Sequence, residues 1–230
     1  MCEGCSRHAM EAGLQLKQKY SGHIAVISMG PPSAEKILKE CLALGADQGI
    51  LLSDRAFGGA DAFATARTLA AGIKKIDGFD VIICGMFSSD GATEWVGPEI
   101  AVMLDIPVVT MVSEIVKSES NVWQVKADVE NGYRLMQVKL PALFTVTRVI
   151  NTPSTMSFSG IIKARNKQVT KWTADDLMVS QNMLGLKGSP TIVRSMDTFH
   201  KHRKAEMIIG TREEKAVQFL KRLVDAGLIS

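Results

Sequence analysis

Two loops hold the residues best suited to grip a ligand. Met29-Gly30-Pro31-Pro32-Ser33 follows one apolar run, and Gly85-Met86-Phe87-Ser88-Ser89-Asp90-Gly91-Ala92-Thr93 follows another. The second is richer. Its small residues, its hydroxyls at Ser88, Ser89 and Thr93, and Gly91 just before a helical pattern leave backbone N–H groups free to hold a phosphate, aided by the helix dipole. Ser88, Asp90 and Thr93 equally fit plain cap and turn positions, which favour those residue types with or without a ligand. Catalytic groups do not assemble around either loop. The chain has no G-x-x-x-x-G-K-S/T loop, no G-x-G-x-x-G after a strand, no G-x-S-x-G elbow and no H-E-x-x-H. His23 opens a strand pattern, and His200 and His202 lie in the run His200-Lys201-His202-Arg203-Lys204, a solvated face. With no general base beside a partner, no catalytic residue is assigned, and binding or electron carriage is favoured over acid–base chemistry.

Four cysteines are too few for a disulfide framework in 230 residues. Cys2 and Cys5 form a C-x-x-C with His8 close by, but a redox dithiol belongs between a strand and a helix. A structural zinc needs a second ligand pair, which Cys41 and Cys84 do not offer at motif spacing. No metal is expected. Met1–Ser6 reads as a frayed, poorly ordered terminus, and Cys84, inside Asp80–Gly85, as a small buried strand residue.

The elements that position these loops alternate over the first 105 residues. Arg7–Tyr20 reads as an amphipathic helix with Ser6 as N-cap. Ile24–Met29 is a buried strand, and Ser33 caps a helix with the face Ile37, Leu38, Cys41 and Leu44, closed by Gly45. Gly49–Leu52, Asp61–Lys75, Phe79–Cys84 and Glu94–Leu104 continue as strand, helix, strand, helix. Val- and Ile-rich strands separated by helices predict an open, mostly parallel α/β sheet with helices on both faces, whose ligand crevice lies beyond the carboxyl ends of the strands. After Pro107 the period changes to four extended runs, 108–116, 122–129, 133–139 and 143–149. Glu130-Asn131-Gly132 marks a hairpin, so antiparallel strands are expected at one edge. Residues 1–150 are read as the α/β domain and 151–230 as an extended arm ending in an amphipathic helix at Glu213–Ala226.

Composition sets the outer limits. The chain is 46% apolar and 22% charged, enough for a real core, and no apolar run approaches the ~20 residues of a spanning helix. Membrane insertion is not expected, and the polar start lacks a signal-peptide pattern. Residues 1–148 carry 14 basic against 17 acidic side chains, and residues 149–230 carry 13 against 7. The basic last third lacks the aromatic interleaving of a nucleic-acid reader, so an acidic protein surface is the better partner and nucleic acid is not expected.

A chain-long series of words closely resembles the β subunit of electron-transfer flavoproteins. It begins with Ser28-Met29-Gly30-Pro31-Pro32, Leu44-Gly45-Ala46-Asp47, Leu51–Phe57 with Gly59-Ala60-Asp61, Asp90-Gly91-x-Thr93 and Val96-Gly97-Pro98-Glu99. It continues with Leu140–Leu143, Asn151-x-Pro153, Ile161–Lys167 and Leu184–Thr191. The resemblance implies an adenine-nucleotide-binding, HUP-like fold and a heterodimer. An α subunit would hold the redox FAD, while the β subunit buries AMP, or a second FAD in bifurcating members. Nucleotide contacts would fall at Met29, at Ser88, Ser89, Asp90, Gly91, Ala92 and Thr93, and at Val96 and Gly97. Pro153–Val169 matches the segment that docks acyl-CoA dehydrogenases or similar flavoenzymes. Ile161 or Ile162 would be its apolar anchor, ringed by Lys163, Arg165 and Lys167, and the C-terminal helix would pack on the partner subunit. The implied setting is the bacterial cytoplasm, or the mitochondrial matrix in a eukaryote. A stand-alone nucleotide-binding stress-type module would not need the arm beyond Thr152, and an ATP-hydrolysing relative would need phosphate-loop glycines and a base.

The chain departs from the family at several positions. Glu3-Gly4-Cys5-Ser6 stands where Asn-Pro-x-Asp is usual, and Ala92, Glu94 and Trp95 stand where Asp, Ala and Gln are usual. A basic residue is missing from Ala127–Gly132. Glu94 adds a carboxylate near the expected phosphate. The resemblance also implies a first strand, in the middle of the sheet, ahead of Met1. A chain starting at Met1 is expected to be an incomplete copy, with a gap between neighbouring strands.

Overall fold

The computed structural model describes residues 4–88, 91–117, 121–195 and 205–229. Residues up to Ile192 form one unit and those from Val193 a second. The first unit opens with α1 (Gly4–Tyr20), whose last turn carries Lys17 and Lys19, the charge that suits a helix carboxyl end. Cys5 is only 2% exposed. The fraying expected of Met1–Ser6 therefore fails for Gly4–Ser6, which form the first helical turn, and Ser6 lies inside the helix, not at its cap. Met1–Glu3 lie outside the described residues. A Cβ on Gly85 would come within 2.8 Å of the Cys5 carbonyl carbon and Ser6 nitrogen, so backbone contact with a glycine fixes this end of α1.

β1 (Ala25–Met29), α2 (Glu35–Leu44), β2 (Gln48–Leu52), α3 (Ala62–Lys74), β3 (Val81–Gly85) and α4 (Val96–Leu104) follow in alternation. β4 (Val108–Lys117), β5 (Val122–Val129), β6 (Gly132–Lys139) and β7 (Ala142–Val146) come next. β5 and β6 pair from Val122 opposite Lys139 to Val129 opposite Gly132. Gly132 has φ +144°, the freedom the tight turn needs. Residues 152–192 show no clear period, yet they contain α5 (Phe158–Arg165), β8 (Val169–Trp172) and the single turn α6 (Gly185–Gly188). Such short pieces are set by neighbours, not by pattern. β8 pairs parallel to β2, and Ala164 is buried with Cys41, Leu42 and Ala43 of α2.

The fold is α/β, mostly parallel and open, with an antiparallel edge. Its strands fall into two sheets, β1-β2-β8 and β3-β7-β4-β5-β6, with the expected gap between neighbouring strands lying between β1 and β3. Every pair is parallel except β4 with β5 and β5 with β6. Helices lie on both faces, as strand alternation shows. Val81 and Ile83 pack with Ala9 and Leu16 of α1, whereas Ile82 and Cys84 pack with Ala66, Ala70 and Ile100 of α3 and α4. Likewise Val26 joins Met10 and Leu14, while Ile27 faces α3, where a Cβ on Gly72 would come within 2.7 Å of it. α1 and α3 thus bridge the split from opposite faces. The strands beside it, β1 and β3, are half-buried at all five positions, whereas β7 is buried throughout.

The second unit contains α7 (Arg212–Asp225), started by a reciprocal Thr211–Glu214 capping box. Val217, Leu220 and Val224 share one face of it and are exposed within the described residues. Among the described residues no helix is long and apolar enough to cross a membrane.

Candidate functional site

The β3–α4 connection delivers the loop that sequence reasoning singled out. Met86 N–H donates to Val146 O at 3.2 Å, carrying the β3–β7 pairing one step past the strand, and Ala92 N–H closes a turn on Ser88 O at 3.1 Å. Ser88, Gly91, Ala92, Thr93, Glu94 and Trp95 are exposed. Ser89 and Asp90 lie outside the described residues. The start of α4 has no side-chain cap, because Trp95 occupies the N-cap position and cannot accept a hydrogen bond. Among the described residues no side chain accepts from the first amides of the helix, Val96 and Gly97, while Pro98 has none to offer. Gly97 is fixed by packing. A Cβ there would approach Thr145 Cγ2 to 2.7 Å and Cys84 Sγ to 3.0 Å, so only glycine seats this turn on the ends of β3 and β7. Burial pushes the Cys84 thiol up to about 12, which makes it a packing residue and no nucleophile.

Thr93, Val96 and Gly97 thus converge at the carboxyl ends of β3 and β7. Met29 ends β1 in the other sheet, where its side chain packs with Ile50, Leu52 and Trp172. Periodicity did not reveal three further features. Ala92, Glu94 and Met111 have φ of +46°, +62° and +60°. A cavity of about 230 Å³ lies beside them, lined by Met86, Thr93, Glu94, Trp95, Thr110, Met111 and Thr145. The Arg148 guanidinium stands 6.0 Å from the Phe87 ring centre, placing a cation by the loop after β3. The only sequence signal for these was the departure at 92, 94 and 95.

The resemblance words beyond the crevice have structural tasks. Asp61 caps α3 by accepting from Ala64 N–H at 3.0 Å, and it also accepts from Thr191 N–H at 3.0 Å and Thr191 Oγ1 at 2.8 Å. Gly185, at φ +51°, lies where a Cβ would meet Ala56 O at 2.2 Å. Residues 185–191 are thereby strapped to the start of α3. Burial raises the Asp61 carboxyl, but the Ala64 and Thr191 donors outweigh it and hold the group below its usual range. Glu99, one turn into α4, is raised by burial and then by the Asp61 charge. Its Oε2 is buried without a hydrogen-bond partner. Asn151 clasps α1, its Nδ2 donating to His8 O at 3.0 Å while His8 Nδ1 lies 3.0 Å from Asn151 O. His8 is thus engaged with Asn151, and Cys2 lies outside the described residues.

On the docking segment, Ser157 caps α5 by accepting from Gly160 N–H at 3.0 Å. Ile161, Ile162, Lys163 and Arg165 are exposed, and Phe158, at 80% exposure, adds a larger apolar group that sequence reasoning passed over. Lys167 is turned inward, its Nζ donating to Ala46 O at 2.6 Å.

Comparison with known proteins supplies the context for this geometry. The family model described as "Electron transfer flavoprotein domain" matches residues 3–177. An electron transfer flavoprotein subunit beta of Clostridium acetobutylicum is 45% identical over 223 residues, covering 97% of this chain and 85% of that protein. The corresponding subunit of Thermoanaerobacterium thermosaccharolyticum is 44% identical, covering 94% and 83%. The caffeyl-CoA reductase-Etf complex subunit CarD of Acetobacterium woodii is 42% identical, covering 96% and 85%.

Proposed function

This chain belongs to the electron transfer flavoprotein family, and from that premise we propose that it works as a β subunit paired with an FAD-bearing α subunit. Its task is positional. It binds an adenine nucleotide, forms the subunit interface and docks the electron donor, an acyl-CoA dehydrogenase or similar flavoenzyme. It carries no catalytic residue of its own. The flavin supplies the redox chemistry when bound.

One observation carries the reading: the uncapped first turn of α4 lies at the carboxyl ends of β3 and β7, inside the segment that the family matches. Val96 and Gly97 N–H, with small Gly91 and Ala92 before them, fit a phosphoryl group. AMP is the nucleotide proposed, with a second FAD as the alternative. For docking, Phe158, Ile161 and Ile162 offer an apolar centre, and Lys163 and Arg165 a basic rim. The second unit would lie against the α subunit.

Extraction and counting of nucleotides from the purified complex tests this. One FAD and one AMP per heterodimer are expected. Two FAD and no AMP would replace AMP by the second flavin, and a complex with no nucleotide beyond the α-subunit FAD would overturn the crevice assignment. The name of the Acetobacterium woodii relative, a subunit of a reductase complex, favours a second reading of the partner as a CoA-linked reductase. Reduction by acyl-CoA dehydrogenase, against electron delivery to such a reductase, separates the two.

A further inference from the structure

We propose that the outer edge of β6 is a self-association surface, on which two copies of this chain pair β6 with β6 as antiparallel strands about a two-fold axis at Met136. The inference goes beyond the nucleotide reading and does not rest on it. Among the described residues β1, β3, β8 and β6 end the two sheets. β1 and β3 turn their open sides toward the split that α1 and α3 bridge, and β8 is only four residues long. β6 runs for eight residues without a proline, and its pairing with β5 has no register shift from Val122–Lys139 to Val129–Gly132. Its one lysine, Lys139, is the last residue of the strand. Proteins blunt an edge with short strands, prolines, bulges or central lysines, and β6 has none of these. Tyr133 through Gln137 are exposed in succession, so both faces of an apolar stretch lie open.

The ladder says which backbone groups are on offer. Leu140 N–H donates to Asn121 O at 2.8 Å, and bonded pairs alternate along antiparallel strands. Val138, Met136, Arg134 and Gly132 therefore turn their N–H and C=O toward β5. Tyr133, Leu135, Gln137 and Lys139 turn theirs outward, to the side that no strand covers.

Self-pairing uses all of them in one register. With Met136 opposite Met136 of the second copy, Leu135 lies opposite Gln137 and Tyr133 opposite Lys139, so every outward residue has a bonded partner. A register centred on Leu135 would leave Lys139 opposite Asn131 in the turn. The chosen register also sets no like charges face to face. On one side of the sheet Val125 and Met136 meet Met136 and Val125 of the second copy in an unbroken apolar row. On the other side the row runs Asp128, Tyr133, then Lys139 of the second copy, which places a cation beside an aromatic ring and near a carboxylate. The patch is complementary to itself, as an isologous interface must be.

The test uses the full chain. Light scattering over a concentration series is expected to reach twice the mass of one chain. Leu135→Pro removes an outward N–H and leaves the β5 ladder whole, so far-UV circular dichroism should be unchanged while the dimer dissociation constant rises about tenfold, one hydrogen bond being lost from each copy. Met136→Cys reads the register. Residues opposite each other at a non-bonded antiparallel pair have Cα atoms about 4.5 Å apart, within reach of a disulfide. The thiol-oxidant diamide should therefore link two copies of the Met136→Cys chain and leave Tyr133→Cys and the wild type unlinked. A chain that stays monomeric overturns the proposal, and so does a dimer that Leu135→Pro does not weaken or that fails to link through position 136. Outward β6 amides protected from hydrogen exchange only once the α subunit is added would give the edge to that subunit and overturn it as well.

Discussion

Two connections leave the carboxyl ends of parallel strands and enter helices, β2 to α3 and β3 to α4, and they treat their backbone donors in opposite ways. The first closes on itself. Asp54 accepts from Ala56 N–H at 2.9 Å and Ala174 N–H at 3.0 Å, and Asp61 caps α3 and holds Thr191. The Ala56 and Ala174 donors hold the Asp54 carboxyl below its usual range. The second stays open, with Trp95 at an uncapped helix start, Glu94 in a left-handed conformation and Glu99 one turn on with an unpaired buried oxygen. A loop whose donors are satisfied by its own chain is a structural joint, while one whose helix-start donors meet no acceptor among the described residues has room for a ligand. That contrast separates strap from site within one fold.

The contrast is broken most severely at Gly185. Alanine there must hold φ near +51° and places Cβ 2.2 Å from Ala56 O, a rigid carbonyl that cannot step aside. Gly185→Ala is expected to cost about 3 kcal/mol or more, read as a lowered denaturant midpoint, while folded protein keeps its nucleotide. Gly97→Ala strikes the open loop instead. Its Cβ would meet the side chains of Thr145 and Cys84, which can shift slightly, so about 1–3 kcal/mol is expected. Here nucleotide retention should fall together with stability. Equal nucleotide loss in both variants would erase the distinction between strap and site.

Asp61→Ala sharpens the comparison with a smaller effect. It removes the α3 cap and the Thr191 contacts, for about 1–2 kcal/mol at pH 7. The native carboxyl titrates below its ordinary value of 3.8, so its contribution is complete above the unfolded value and is lost as pH falls through the folded one. The stability gap between wild type and Asp61→Ala should therefore narrow below about pH 4. A gap that stays constant down to pH 2 would mean that the cap charge contributes nothing.

How much of this was legible in the sequence differs between the two loops for a physical reason. Strand and helix periods and the Asn131-Gly132 hairpin depend on local spacing and appear in the fold, with the helix expected from Glu94 starting two residues later at Val96. The split of the sheet between β1 and β3 followed from the resemblance, which implies a gap between neighbouring strands, and not from those periods, since a strand keeps its own pattern whichever neighbour it pairs with. β8 and α5 were missed because segments of four and eight residues acquire structure from α2 and β2 and not from their own period. The Trp95 cavity draws Thr110, Met111 and Thr145 from strands far along the chain. Only the substituted residues at 92, 94 and 95 hinted that this loop was unusual, and nothing local disclosed the Met111 distortion.

The smallest expected effect lies between the two loops, at Glu99. Its carboxyl is raised first by burial and then by Asp61, opposite in sign to Asp61 itself. An acid with a raised folded value is destabilising while ionised, and the deficit disappears as pH falls through that value toward the ordinary 4.5. Glu99→Gln removes the charge, keeps the shape and gives the buried position a neutral polar end. It should raise Tm at pH 7 by no more than about 2 °C, with the advantage gone near pH 4. Because part of the raised value comes from Asp61, the gain should shrink further in an Asp61→Ala background. Thermal melts of the four proteins at pH 7 and pH 4 decide it. A Glu99→Gln that lowers Tm at pH 7 would show that the ionised carboxylate is used where it stands, and the open loop would then hold one more satisfied group than its geometry indicates.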